Sequence, residues 1–285
     1  MILFDLILLH FCHYPDIIKI VPYDSALHCN KEVTSFIMFE NLLPWLGSAF
    51  IVALAASLQG ITGFGFALVS MPLLLLIYDP HHVVIINAII SIASLSSLTF
   101  KVRQQVLVPV VKNLFLGSIL GIPLGAYVFF SSDVHLLKLI IGLVTGIFSL
   151  ILISGATAKN VAGRIWEATA GSISGFLTSS VGMPGPPVIL FLSNQKLPKE
   201  HFRATTAAYF ILAYLCSLSL LIYLGGVDQN TVFTALSLIP LAILGGHLGY
   251  LIFPKVSQPK FQQGVSLLVF STSVYAVITS LMSQS

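Results

Sequence analysis

Apolar residues run along the chain in long unbroken blocks, at 42–58, 66–78, 83–100, 106–130, 134–154, 163–180, 187–194, 203–224, 231–253 and 262–282. The blocks do not alternate apolar with polar, so they predict buried helices and exclude a transmembrane β-barrel. Blocks such as 106–130, 134–154 and 203–224 are long enough to cross ~30 Å of hydrocarbon. Two are not: 66–78 is short, and 187–194 is shorter still. Each short block follows a glycine-rich break, Gly60-Ile61-Thr62-Gly63-Phe64-Gly65 in the first case and Gly182-Met183-Pro184-Gly185-Pro186-Pro187 in the second. No helix passes smoothly through either. Proline lacks the donor and clashes with the preceding turn, and glycine opens conformations that other residues avoid. The flanks are too apolar for surface loops, and hydrocarbon cannot pair a broken backbone. Such a break survives where it lines a cavity holding water or a ligand.

Composition sharpens this picture. The 285 residues are 56% hydrophobic and 8% charged, against about 25% charged in soluble domains. The chain therefore reads as an all-α, polytopic membrane bundle with the lipid bilayer as its first partner. A formal net charge of +3 gives no reason to expect a nucleic-acid partner. Cys12, Cys29 and Cys216 have no metal or redox spacing. Residues 1–39 differ from the rest, with a short apolar start and a mixed polar stretch, and are expected to be an extension outside the organised body.

The body repeats. Leu120-Gly121-Ile122-Pro123-Leu124-Gly125 lies over Leu244-Gly245-Gly246-His247-Leu248-Gly249, and a phenylalanine closes both segments at Phe129 and Phe253. In each half the order is a glycine-broken hairpin and then three spans. Repeat 1 is 40–157, with hairpin 42–78 and spans 83–100, 106–130 and 134–154. Repeat 2 is 158–285, with hairpin 163–194 and spans 203–224, 231–253 and 262–282. Internal symmetry of this kind marks transporter folds. Basic residues gather in four loops, at Lys101 and Arg103, Lys159 and Arg164, Lys196, Lys199 and Arg203, and Lys255 and Lys260. If these loops are cytoplasmic, the hairpins enter from opposite faces and the repeats are inverted. Gly117-x-x-x-Gly121-x-x-x-Gly125 and Gly245-x-x-x-Gly249 are small-residue faces for close helix packing.

In each hairpin the second helix starts at the break, with free N–H groups and the positive end of its dipole. Two such ends, near 64–66 and 186–188, facing one place would form an anion site built from backbone. The candidate substrate-binding residues are Gln59, Gly60, Thr62, Gly63, Gly65, Ser179, Ser180, Gly182, Gly185, Pro186 and Pro187, with Asn87 and Arg203. The glycines let a ligand approach the backbone, and Pro186 and Pro187 suit a first helical turn. The hydroxyls and Gln59 either donate to an oxyanion or satisfy loosened carbonyls. Asn87 serves equally as a ligand or as an interhelical hydrogen bonder. Arg203 either draws an anion to the inner mouth or snorkels as a positive-inside residue. Glu167 is spaced for a helical pair with Arg164. His81-His82 is placed in a loop and lacks metal-ligand spacing. No catalytic motif, ATP-binding loop, cofactor site or mid-membrane carboxylate is evident.

Gly60-Ile61-Thr62-Gly63-Phe64-Gly65-Phe66 with Met71-Pro72-Leu73, and Val181-Gly182-Met183-Pro184-Gly185-Pro186-Pro187 with Phe202-Arg203-Ala204-Thr205, resemble the two repeat motifs of the sulfite exporter TauE/SafE family. The resemblance covers about 40–282 and departs where Phe64 and Pro184 interrupt a run of glycines. It implies a multi-pass permease of the inner membrane for small sulfur-containing or organic anions. The expected function is secondary transport of a small anion such as sulfite or a sulfonate. An anion channel, using the same two tips without alternating access, is the alternative.

Overall fold

The computed structural model describes residues 26–62, 64–154, 163–195 and 197–252, with Phe270, Val274 and Ile278 beyond them. Nine helices carry these residues: α1 Ala26–Thr62, α2 Phe66–Leu74, α3 Pro80–Val102, α4 Val108–Ser131, α5 Val134–Ser154, α6 Arg164–Val181, α7 Gly185–Asn194, α8 Lys199–Tyr223 and α9 Gln229–Ile252. The expected span at 262–282 lies almost wholly outside the described residues. The chain divides into two units, Met1–Leu46 and Gly47–Ser285. The described part of the first is helix. The second holds the packed bundle.

Six described helical segments are long and apolar enough to cross a membrane: Leu42–Gly60, Pro80–Ser97, Val108–Ser131, Val134–Ile151, Glu200–Tyr223 and Gln229–Leu251. Their outward faces stay apolar, with Phe50, Leu120, Leu244 and Tyr127 exposed. A soluble protein does not present so much contiguous apolar surface. The protein is a polytopic membrane bundle.

Both expected breaks are present. α1 ends at Thr62 and α2 begins at Phe66, with Gly65 as its N-cap at φ 100°. α6 ends at Val181, and Gly182 caps it at φ 68°. Both glycines occupy the left-handed region, which an L side chain enters at a cost. At Gly182 the chain closes an αL cap: the Gly182 N–H donates to the Thr178 carbonyl at 3.0 Å, and the Met183 N–H reaches the Leu177 carbonyl at 3.1 Å. α2 has 9 residues and α7 has 10, so each rises only about 15 Å.

Three readings of the sequence change. α1 runs through residue 39 without a break, so the expected edge of the extension is not a helix boundary. His81 and His82 lie in the first turn of α3, because Asp79 and Pro80 open that helix before the apolar run begins. Glu167 accepts a hydrogen bond from the Asn113 side chain at 2.5 Å across α4 and α6, instead of pairing with Arg164.

The glycine faces set the packing. A Cβ on Gly117, Gly121 or Gly125 of α4 would sit 2.0, 1.9 or 2.2 Å from the carbonyl oxygen of Ala168, Ser172 or Phe176 of α6. In return, one on Gly171 of α6 would collide with Leu114. On α9, a Cβ at Gly245 or Gly249 would meet the Ala53 or Ser57 carbonyl of α1. The glycine helix of each half thus grips the first hairpin helix of the other half.

Candidate functional site

The two breaks line one cavity, partly open to the surroundings. From the first break come Gln59, Gly65, Phe66, Ala67 and Leu68; from the second, Met183, Pro184, Gly185 and Pro186. Ser91 and Leu95 of α3 and Phe210 and Tyr214 of α8 complete the wall.

The donors at the two breaks are unequal. α2 has no side-chain cap, and its first intrahelical bond is from Val69 N–H to the Gly65 carbonyl. The N–H groups of Phe66, Ala67 and Leu68 therefore have no carbonyl within the helix to receive them. α7 also has no side-chain cap, but its N-cap is Pro184 and its first turn is Gly185-Pro186-Pro187. Three prolines remove three donors, which leaves Gly185 as the one backbone N–H of that turn. The expectation of two similar N-termini is corrected here: both bring a dipole, and α2 brings most of the donors. Ser174 donates to the Pro184 carbonyl at 2.6 Å, which satisfies the acceptor at the second break.

Behind the cavity, Asn87 of α3 joins the hairpins. Its Oδ1 accepts from Ser70 of α2 at 2.8 Å, and its Nδ2 donates to the Gly182 carbonyl at 2.9 Å and to the Tyr214 hydroxyl at 3.2 Å. Tyr214 donates to the same carbonyl at 2.9 Å. Asn87 is fully buried, and its amide is committed to these three contacts.

The remaining candidates divide. Gln59, Gly65, Gly185 and Pro186 line the cavity. Gly60 does not; it lines a neighbouring pocket that also shares Gln59. Ser179 donates to Ser217 at 2.9 Å, and Ser180 to the Phe176 carbonyl one turn back at 2.7 Å. Gly182 shapes the break through its cap and its carbonyl. Pro187 completes the first turn of α7. Arg203, buried in the first turns of α8, donates from Nη2 to the Gly60 carbonyl at 3.0 Å and lies over the Tyr250 ring at 5.6 Å. Gly63 and the Thr62 side chain lie outside the described residues.

Ser91 is the residue the motifs did not reveal. It is 1% exposed, lines the cavity, and its Oγ lies beside the Tyr214 hydroxyl without forming a well-aligned hydrogen bond. Ser94, one turn on, donates to Gln59 Oε1 at 2.8 Å. Asn87, Ser91 and Ser94 stand at i, i+4 and i+7, a polar stripe on an apolar helix that the spacing alone displays. No titratable side chain among the described residues, other than the buried phenol of Tyr214, lines the cavity. Among the described residues, no three His, Cys, Asp or Glu side chains gather as a metal site.

One protein-family profile, described as sulfite exporter TauE/SafE, matches residues 48–276. No curated protein matches the chain, and no solved structure does.

Proposed function

The chain belongs to the sulfite exporter TauE/SafE family, and on that premise we propose that it is a secondary permease carrying a small oxyanion, sulfite or a related sulfonate or organic acid, across the inner membrane. The observation that carries this reading is the cavity lined by both helix breaks, with the buried Ser91 hydroxyl in its wall. An anion there would accept hydrogen bonds from the N–H groups of Phe66, Ala67, Leu68 and Gly185, with the positive ends of two helix dipoles turned to it. Ser91 would donate a further hydrogen bond, and the Gln59 amide lies within the same wall. The donor set is neutral. It holds an anion by dipoles, which favours release as well as capture, as a transport site requires. In this reading the hairpins enter from opposite faces, and the repeats rock about the site in turn.

The test is flux of radiolabelled sulfite in proteoliposomes under an imposed pH gradient. Ser91→Ala should raise KM roughly tenfold or more, since a hydrogen bond to a charged group is worth about 1.5–3 kcal/mol. At Gly185 a Cβ would press on the flexible end of Ile189 at 3.1 Å and make ordinary contact with Phe210 at 3.8 Å. Gly185→Val should therefore fold, fill the cavity and cut flux by more than about tenfold. Folded variants with normal KM and flux would remove the site. Counterflow driven by unlabelled sulfite marks a carrier, and its absence marks an anion channel.

A further inference from the structure

The pocket beside the first break is lined by Gln59, Gly60, Ser94, Ser97, Ile243, Gly246, His247 and Tyr250. About half of its wall is polar, and a partly polar cavity inside a membrane bundle can hold water or a polar solute. Gln59 belongs to both pockets, and its carbonyl is tied to Ser94 on the far side at 2.8 Å. Two of its wall residues hold the Arg203 guanidinium just behind them, the Gly60 carbonyl by a hydrogen bond at 3.0 Å and the Tyr250 ring at 5.6 Å.

Gly246 gives the pocket its space. A Cβ at neighbouring Gly245 would stand 2.5 Å from the Ala53 carbonyl oxygen, and one at Gly249 would stand 2.0 Å from that of Ser57. At Gly246 the nearest atoms would be the Ala56 carbonyl oxygen and Ser94 Oγ, both 3.7 Å away, which is ordinary contact. Helix packing therefore accounts for the absent side chains at Gly245 and Gly249 but not at Gly246. The matching position of the first repeat is Ile122, a buried side chain. One half fills this position with an apolar group, and the other leaves it open beside Arg203.

We propose that this second pocket is a station for the same small oxyanion, entered from the end of the bundle where α8 begins and separated from the cavity between the breaks by the Gln59 side chain. The inference rests on the permease reading above. The anion waits beside the guanidinium, and passes inward when Gln59 exchanges its Ser94 contact for the ligand. The base-rich loop ahead of α8 places this entrance on the cytoplasmic side, as export requires.

Radiolabelled sulfite flux in proteoliposomes, with sulfite binding to the full-length protein in detergent, tests the proposal. Gly246→Ala should leave flux within about twofold, because the methyl group makes only ordinary contacts, and Gly246→Val should lower it about tenfold or more while the protein stays folded. Ser97→Asp sets a carboxylate in the pocket and should suppress flux by more than about tenfold at low salt, with partial recovery at high salt. If Gly246→Val fails to fold, Ser97→Asp decides the matter. Folded Gly246→Val or Ser97→Asp protein with wild-type flux and KM would overturn the station. If Ser91→Ala and Gly185→Val are silent while the Gly246 and Ser97 variants impair flux, the cavity between the breaks loses its role and this pocket keeps its own. Silence of all four removes both.

Discussion

Asn87 ties the short helix of one hairpin to the capping carbonyl of the other, so its amide bears on both breaks at once. Hydrogen bonds between membrane helices average about 0.6 kcal/mol each, so Asn87→Ala, which removes three, should cost roughly 2 kcal/mol. Thermal unfolding in detergent would read that loss, and an unchanged midpoint would make the network incidental. At one edge of the bundle Asp228 receives the Thr231 hydroxyl, the Thr231 N–H at 3.0 Å and His82 Nε2 at 3.5 Å. Burial alone would raise its carboxyl, but the Thr231 bonds, His82 and the Asn230 N–H outweigh that and hold it below the usual carboxylate range. A group depressed on folding stabilises above its unfolded value, near 3.9, and ceases to do so as pH falls through the folded value. Asp228→Asn should therefore lower the melting temperature at about pH 6, and by progressively less as the pH falls below the unfolded value. An equal difference across that range would show that the carboxylate's charge is irrelevant.

Among the elements, the two glycine crossings are the stiffest constraints. Gly121→Leu and Gly249→Leu drive a side chain into a facing carbonyl, and each should lower folded yield by overpacking that typically costs 1–3 kcal/mol or more. Fluorescence-detected size exclusion would show it, with Gly246→Ala as the tolerant control. A normal elution profile for the leucine variants would contradict the close crossings. These faces were legible beforehand because the G-x-x-x-G spacing is a direct record of backbone approach. So were the breaks at Gly65 and Gly182, since glycine and proline act on the backbone itself. What escaped was set by tertiary partners. Ser91 and Ser94 look like ordinary membrane-helix hydroxyls until α1 and α8 are placed opposite them. The donor deficit of α7 depended on where its first turn falls: Pro186 and Pro187 favour a start, and also empty it of N–H groups. The early start of α1 was hidden because residues 26–39 carry no sustained apolar pattern.

At the scale of the whole molecule, the paired breaks are proposed to approach one cavity from opposite faces. Under the inverted-repeat proposal, cysteine labelling at Asp133 and at Lys159 should report opposite sides of the membrane, and Lys196 the side of Lys159. Labels on Lys159 and Lys196 from different sides would end that proposal. The crossed grip of each half's glycine helix on the other half's hairpin also has a consequence in time. A ribosome delivers α1 early, yet Gly245, Gly246 and Gly249, which seat against Ala53, Ser57 and Gly60, emerge near the end of the described chain. Until then the first hairpin must wait in the bilayer with its seam uncovered, held by temporary partners such as lipid or an insertion chaperone. Assembly is thus non-local despite every element being a helix, and non-local contacts form slowly. Arresting synthesis before Gly245 should leave a chain whose first hairpin is open to protease, while the crossing of α4 with α6 is already closed.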